Sequence, residues 1–460
     1  MTPNVLVPHI LLVAPSAYPL GGVQTWLDYL VPGLRVGGFQ VTLGLVAGRH
    51  HDVERYLAVH PGEQVERISS PTGSREGRVR AVRAVIDRLE PDLVLGVNIP
   101  DAYPAVARAR RAGRPVRAAM TVHGIQPDLF EDIAGNREVL DAVICTNRLA
   151  CRLSAELGGL DESRIAYAPY GVRRDQTPRV EPGQPGLAPL RIAFVGRIEG
   201  FQKRVEDLVA IVRELQRLDV RFLLSIAGIG PREAWLRAEL AEETTRGAVE
   251  FLGIVAADDL SERVYARSDA LLITSSWETG PIVAWEAMAA GLPVVTSAYT
   301  GYGLEAGLVD GENCLVFPVG DIVAAVDALQ RISGSTIRRR IVDGGADLVT
   351  RRYSREASIG AWVGACREII ARPPRASLSI ELPSGGEAGR LDRHLGRGLA
   401  ETVRGLIGRS HAHDDPGGEW PHSYGRTSET DAEFWRRAVQ LDRRLEPGVT
   451  PADERRASAG

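Results

Sequence analysis

The chain writes arginine at every basic position but one. Of its 55 lysine and arginine residues, Lys203 is the single lysine, and it stands in the stretch FVGRIEGFQKRVEDLV, residues 194–209. An ammonium is a compact point charge on a flexible stem, whereas a guanidinium is a planar fork. Arg197 lies six residues earlier, at the end of the apolar run LRIAFVGR. If that run is a strand, both cations sit beyond its carboxyl end, Lys203 on the loop entering the next helix. One rigid fork and one mobile charge make a clamp suited to a diphosphate, because they can neutralise charge that grows as a bond breaks. Two solvated surface charges would read the same way, and this segment alone does not separate the two.

A second candidate group lies in SSWETGPIVAWEAMAAGLPVVTS, residues 275–297. The preceding run ALLITSS delivers Glu278 into a loop. Pro281 suits the first turn of a helix, and Glu286 falls inside that helix. Main-chain N–H groups near Gly280, Ile282 and Val283 are then helix-start donors, suited to a phosphate or a sugar hydroxyl. A carboxylate is the natural partner of vicinal ribose hydroxyls, since it accepts two hydrogen bonds at once. Glu286 is flanked by Ala284, Trp285, Ala287, Met288 and Ala289, so an idle surface glutamate is the weaker reading. His123 closes the apolar run RAAMTVHG ahead of Gly124, which lets a ligand approach the backbone. A lone histidine is more often structural.

These residues need a scaffold. At 460 residues the chain exceeds the size at which one core stops growing, so two domains are expected. HILLVAP, VTLGLVA, DLVLGVN, RAAMTVHG and AVICTN read as strands, separated by helical stretches such as VQTWLDYLVPGLRVGG and REGRVRAVRAVIDRLEP. Near-continuous apolar strands alternating with helices imply a parallel sheet covered on both faces. The Pro- and Gly-rich TPRVEPGQPGLAP interrupts the pattern, after which LRIAFVGR, RFLLSIAG, VEFLGIV, DALLITSS, LPVVTSA and NCLVFP restart it. The expected organisation is a Rossmann-like α/β domain over 1–180, a linker at 181–189, and a second such domain over 190–372 closed by SREASIGAWVGACREIIAR. An accessory, partly disordered tail over 373–460 follows. Two doubly wound units imply a cleft between them, with ligands beyond the carboxyl ends of the strands.

Composition narrows the function. Hydrophobic residues make up 44%, charged residues 25%, and the net charge is −4, which gives no reason to expect a nucleic-acid partner. Cys145, Cys151, Cys314 and Cys366 are scattered and read as reduced cytosolic thiols. The apolar N-terminus lacks a basic flank and a cleavage pattern, and no run is long enough to span a bilayer. A cytoplasmic protein is expected, with peripheral contact at the inner face of the membrane left open. No D-x-D occurs, so no metal ligand set and no obligatory cation are expected. AGIGPREA has only the first two glycines of a dinucleotide fingerprint, which disfavours an oxidoreductase.

Glu278-x7-Glu286 followed by AMAAGLPVV resembles the nucleotide-binding signature of family 4 (GT4) retaining glycosyltransferases with the GT-B fold. GGVQTWLDYLVPGLRVGGFQVTL is similar to that family's Gly-Gly loop, helix and second strand. TVHG, YAPYGV, VGRIEGFQK, IAGIGPREAWLRAEL and VEFLGIV resemble its further elements in family order, across about residues 9–370. The resemblance implies that Arg197 and Lys203 hold a donor diphosphate, that Glu286 binds the ribose and that Glu278 contacts the transferred sugar. It also implies that main-chain N–H groups of the Gly22 loop and the Ile282 turn approach phosphate or sugar. His123 would lie beside the donor hexose, and the FLGIV turn with Ile254 near the base. One departure stands out: the family often has Phe-Gly where this chain has Gly280-Pro281, and a proline there removes one N–H.

The activity implied is retaining, metal-independent transfer of a hexosyl group from a UDP- or GDP-sugar to a hydroxyl acceptor, in cell-envelope or extracellular polysaccharide or glycoconjugate synthesis. The nucleotide sugar is a substrate, and no cofactor is implied. The acceptor would be a glycan or a lipid-linked molecule. A nucleotide-sugar 2-epimerase shares the fold but needs acid/base groups at C2 of the sugar. A catalytically silent binding protein predicts a damaged clamp or glutamate pair, whereas all four side chains are present. The stretch from Arg75 to Arg117 holds ten arginines and five acidic residues, which suggests an anionic acceptor less strongly than a solvated helix face. Neither the sugar, the nucleotide nor the oligomeric state is legible.

Overall fold

The apolar runs become strands because a segment buried on both faces has no solvent side to mark with polar residues. The computed structural model describes residues 7–15, 22–46, 53–60, 63, 65–97, 99–174, 188–376, 389–409 and 431–443. Backbone contacts divide the chain into two compact units. One comprises Met1–Thr146, Ala150–Ala168 and Ile359–Asp431, the other Asn147–Leu149, Pro169–Ser358 and Ala432–Gly460.

The first unit holds a seven-stranded parallel sheet of β1 (His9–Pro15), β2 (Gln40–Val46), β3 (Val65–Ile68), β4 (Leu93–Val97), β5 (Arg117–Val122), β6 (Ala142–Cys145) and β7 (Ile165–Tyr167). Its order is β3-β2-β1-β4-β5-β6-β7. The second unit holds six parallel strands: β8 (Leu190–Val195), β9 (Phe222–Ala227), β10 (Val249–Gly253), β11 (Ala270–Ile273), β12 (Val294–Ser297) and β13 (Leu315–Phe317). Here the order is β10-β9-β8-β11-β12-β13, which reverses between β8 and β11. Loops leaving neighbouring strands on either side of such a reversal diverge to opposite faces and open a crevice for a ligand. Two Rossmann-like sheets of this kind are the GT-B architecture.

Side chains on both faces of the second sheet are buried. Phe194, Ile226, Leu272 and Phe317 pack in one apolar cluster, Ala193, Leu271, Ile273 and Val294 in another. Gly196, Gly228 and Gly253 end β8, β9 and β10, and all three have positive φ. At Gly228 (φ +144°) a Cβ would stand 1.9 Å from the Gly196 carbonyl oxygen. Only glycine lets the two strand ends run this close.

The helix Arg355–Ala371 forms as the sequence suggests, but from Ile359 onward it groups with the first unit rather than with the expected 190–372 domain. The reason is steric. Gly33 and Gly37 leave a groove along the helix Gly22–Val36, and a Cβ on either would lie 2.8 Å from Ile359 or 2.5 Å from Val363. Trp362 then reaches Trp26, with ring centroids 4.8 Å apart. Periodicity identifies an apolar face but not the face it meets.

The two helical stretches of the tail also form, over Arg390–Leu406, kinked at Gly396, and over Ala432–Leu441. The first groups with the first unit, where the Thr72 and Ser74 hydroxyls donate to the buried Glu401 carboxylate. The partial disorder expected of the tail is not assigned to particular residues: 377–388, 410–430 and 444–460 lie outside the described residues, as do 175–187, the body of the linker stretch. The arginines of the 75–117 stretch are largely committed to ion pairs. Arg78 pairs with Asp101 (2.6 Å), Arg80 and Arg108 with Glu76 (2.9 and 2.7 Å), and Arg110 with Asp141. Some of these pairs join different elements and others lie within the helix Arg75–Leu89, with Arg80 and Arg88 still 42% and 57% exposed. All four cysteines are free thiols.

Gly228→Ala is expected to destabilise the protein by about 2 kcal/mol or more, since strained φ adds to backbone overlap. Gly247 (φ +73°) has open space around its Cβ direction, so Gly247→Ala should cost only the strain. Urea unfolding of both variants checks the difference, and equal midpoints would contradict the close approach.

Candidate active site

Arg197 follows β8 and Glu278 follows β11, and the pairing of these two strands starts their loops side by side. The first loop is shaped by a carboxylate acting on the main chain. Glu199 accepts from the N–H of Gln202 (3.0 and 3.1 Å) and of Lys203 (2.7 Å). Arg204 then takes the left-handed conformation (φ 51°, ψ 51°), which costs a non-glycine residue about 1–2 kcal/mol. Its guanidinium grips Asp207 at 2.8 and 2.9 Å, and the Lys203 carbonyl accepts from the Thr274 hydroxyl at 2.7 Å. The strained turn fixes where the Lys203 stem leaves the backbone.

The second loop is tied to the first at three places. Ser276 N–H donates to the Gln202 carbonyl (2.7 Å), its hydroxyl donates to the Phe201 carbonyl (2.6 Å), and the Gln202 amide donates to the Trp277 carbonyl (3.3 Å). Lys203 Nζ donates to Glu278 Oε1 at 2.5 Å, and Ser275 Oγ donates to the same oxygen at 2.6 Å. The Gln202 amide joins the remaining groups: Nε2 donates to Glu278 Oε2 (3.3 Å), and Oε1 accepts from Arg197 Nη2 (3.1 Å). Arg197, Gln202, Lys203 and Glu278 therefore form one connected network. The Lys203 and Glu278 side chains are only 17% and 7% exposed.

Other anticipated residues stand apart from this network. The helix Ile282–Ala289 starts after Pro281, which is its cap (φ −65°, ψ 104°) rather than part of its first turn, and Gly280 has φ 96°. Ile282 and Val283 occupy the helix start, where N–H groups lack intrahelical acceptors. Glu286 accepts from the Tyr265 hydroxyl at 2.9 Å. Burial pushes its carboxyl up, opposed by the Tyr265 bond and the nearby Arg355 charge. Ile254 follows β10 and is half exposed, as is Ile229 after β9, within the IAGIG stretch.

His123 and Gly22 belong to the first unit. Gly22 opens the helix Gly22–Val36, while 16–21, the loop before it, lie outside the described residues. His123 follows β5, and its ring meets Trp26 edge-on at 4.5 Å. His123 Nε2 lies 2.9 Å from the Thr121 hydroxyl oxygen, which also reaches the Gly96 carbonyl at 3.2 Å. Burial lowers the imidazole to about 3, so it is neutral at physiological pH. A pocket in this unit lined by Ser70, Gly73, Arg78 and Asp101 contains none of the anticipated residues. Among the described residues, no three His, Cys, Asp or Glu side chains are grouped to hold a metal ion. Among them, too, no helix is long and apolar enough to cross a membrane.

Sequence reasoning missed Glu199, Gln202, Ser275 and Tyr265. All four act through bonds that periodicity does not register.

Two family models match the two sheets in turn: Glycosyltransferase Family 4 over residues 20–176 and Glycosyl transferases group 1 over 189–334. Together they span more than half of the chain, which belongs to the GT4 glycosyltransferases of the GT-B fold. The glycogen synthase of Mycobacterium tuberculosis (strain ATCC 25618 / H37Rv) is 32% identical over 171 residues, 36% of this chain and 37% of that protein. The D-inositol 3-phosphate glycosyltransferase of Mycobacterium sp. (strain JLS) is 32% identical over 252 residues, 50% of this chain and 55% of that protein. The chain thus spans about one-third to just over half the length of these curated relatives. Among solved structures, the lipopolysaccharide outer core galactosyltransferase WaaB matches 78% of this chain and 99% of its own, with a TM-score of 0.62 and 19% identity. Anabaena HepE, solved in complex with UDP and glucose, matches 78% and 100%, with a TM-score of 0.63 and 16% identity. At these identities the likeness is one of fold.

If Glu286 takes the ribose hydroxyls, only its ionised form accepts both bonds. Its raised pKa then has a readable sign: UDP affinity should fall on acidification, starting above the pH at which an ordinary glutamate titrates. Glu286→Gln should bind more weakly and lose that pH dependence. Calorimetry across the acidic range checks it, and matching profiles for variant and wild type would sink the assignment.

Proposed function

We propose that this chain is a retaining hexosyltransferase that uses a UDP- or GDP-linked donor and a hydroxyl acceptor on a glycan or lipid-linked molecule. The observation that carries the reading is the Lys203–Glu278 pair at the reversal point of the second sheet, joined to Arg197 through Gln202. A diphosphate arriving there offers Lys203 a more highly charged partner than one carboxylate, and Arg197 a bidentate one. Lys203 would exchange Glu278 for the phosphate, and the Glu278 oxygen so released would accept from a hydroxyl of the transferred sugar. Glu286 would take the ribose, Ile229 and Ile254 would flank the base, and the N–H groups at Ile282 and Val283 would meet sugar or phosphate.

Transfer then runs on one face. The acceptor oxygen attacks C1 as the bond from C1 to the phosphate oxygen breaks, and the acceptor's proton passes to the departing diphosphate. Arg197 and Lys203 neutralise the charge that accumulates on that diphosphate, which is the role a cation would otherwise fill. His123 is a poor candidate for an opposing base, because a buried imidazole lowered to about 3 has little proton affinity at neutral pH. A role in envelope or extracellular glycan synthesis, with the protein at the cytoplasmic side, fits the acceptor class.

Screening UDP- and GDP-hexoses with purified protein, followed by NMR of the product, tests this reading. An α-linked donor should give an α-linked product, and activity should persist in EDTA. A β-linked product would contradict front-face transfer, and activity restored only by Mg²⁺ or Mn²⁺ would contradict the purely cationic clamp.

A further inference from the structure

The helix Ala432–Leu441 lies far along the chain from Arg197, Lys203, Glu278 and Glu286, yet it docks on the loops of the second unit. Phe434, Ala438 and Asp442 are buried, one turn apart, while Val439 on the other side is exposed. Trp435 meets Phe201 edge-on at 5.6 Å and Trp277 at 5.5 Å. Phe201 immediately precedes Gln202 and Lys203, and Trp277 immediately precedes Glu278. One side chain of the tail therefore rests on both loops beside the ion pair.

Asp442 makes the second attachment. Its carboxylate accepts from the main-chain N–H of Gly301 (2.7 Å), Gly303 (3.1 Å) and Leu304 (3.0 Å). That segment is in turn fitted against Glu278. The Glu278 N–H donates to the Thr300 carbonyl at 3.0 Å, and a Cβ on Gly301 (φ +104°) would stand 2.0 Å from the Glu278 carbonyl oxygen. At Gly303 a Cβ would stand 1.7 Å from the Asp442 carbonyl oxygen, so the tail backbone also lies in contact. Main-chain donors converging on a carboxylate are a strong, directional attachment.

We infer that Trp435 and Asp442 are positioning residues of the transfer site, holding the Lys203 and Glu278 loops in register through Phe201, Trp277 and the 300–304 segment. The inference rests on the proposed transferase reading for its catalytic consequence, but its structural content stands without it. Neither residue touches the reacting groups. Loss of either should leave nucleotide binding at Glu286 in place and loosen the geometry that the breaking bond requires.

The test uses the full chain with Asp442→Asn, Trp435→Ala and Trp435→Phe. Hydrogen exchange should quicken at the amides of Gln202, Lys203, Ser276 and Glu278 in the first two variants, at unchanged exchange of the β8 and β11 core. Turnover of the nucleotide sugar should fall roughly ten- to a hundredfold with little change in donor KM. Trp435→Phe, which keeps an aromatic ring, should recover most of both. Unchanged exchange and unchanged turnover would overturn the inference, and so would raised turnover, which would make the helix a plug. A wild type that turns over no nucleotide sugar would overturn the transferase reading instead, and the exchange comparison would still decide the positioning claim.

Discussion

Lys203 and Glu278 meet at 2.5 Å with most of both side chains out of water. A buried pair of this kind is held between desolvation and attraction. Removing one partner strands the other charge at a cost of about 3–5 kcal/mol, while replacing the partner with another charge need not cost anything comparable. The pair is thus a poor source of net stability and a good receptor for an anion. A diphosphate can take the place of Glu278 opposite the ammonium, and Glu278 still has Ser275 and Gln202 as donors.

Much of the second unit serves to bring those two charges together. The strand order puts β8 beside β11, and the glycines after the strands let their ends run close. Glu199 folds the loop that presents Lys203, at the expense of a left-handed Arg204. Ser276 and Gln202 tie the loops to each other, and the tail helix bears on Phe201, two residues before Lys203, and on Trp277, directly before Glu278. In the first unit the same strand logic yields a different local chemistry. His123 is wedged against Trp26, bonded to Thr121 and kept neutral by burial.

The fold was legible because it is written in local pattern. Continuous apolar runs became β1, β4, β8 and β11, and the interposed amphipathic stretches became helices. Arg197, Lys203 and Glu278 could be singled out together because each follows an apolar run, and the structure joins them in one hydrogen-bonded network. The partner of the helix Arg355–Ala371 was not legible, because Gly33 and Gly37 that receive it lie more than 300 residues earlier in the chain. Asp442 was hidden for the same reason: its donors are main-chain groups about 140 residues away, with no side-chain signature. The pairs of Arg108 with Glu76 and of Arg110 with Asp141 were not legible, because those partners are close only in three dimensions.

The central claim is that position 203 requires a compact, mobile ammonium that can pass from Glu278 to a diphosphate. Lys203→Arg keeps the charge and changes only its shape, so it isolates that claim. Steady-state turnover of the accepted nucleotide sugar is the measurement. The account predicts that kcat falls by at least about tenfold, because a planar fork cannot fill the largely buried site at one carboxylate oxygen and still follow the departing phosphate. Turnover equal to wild type would contradict it, and the lone lysine would then be an accident of composition.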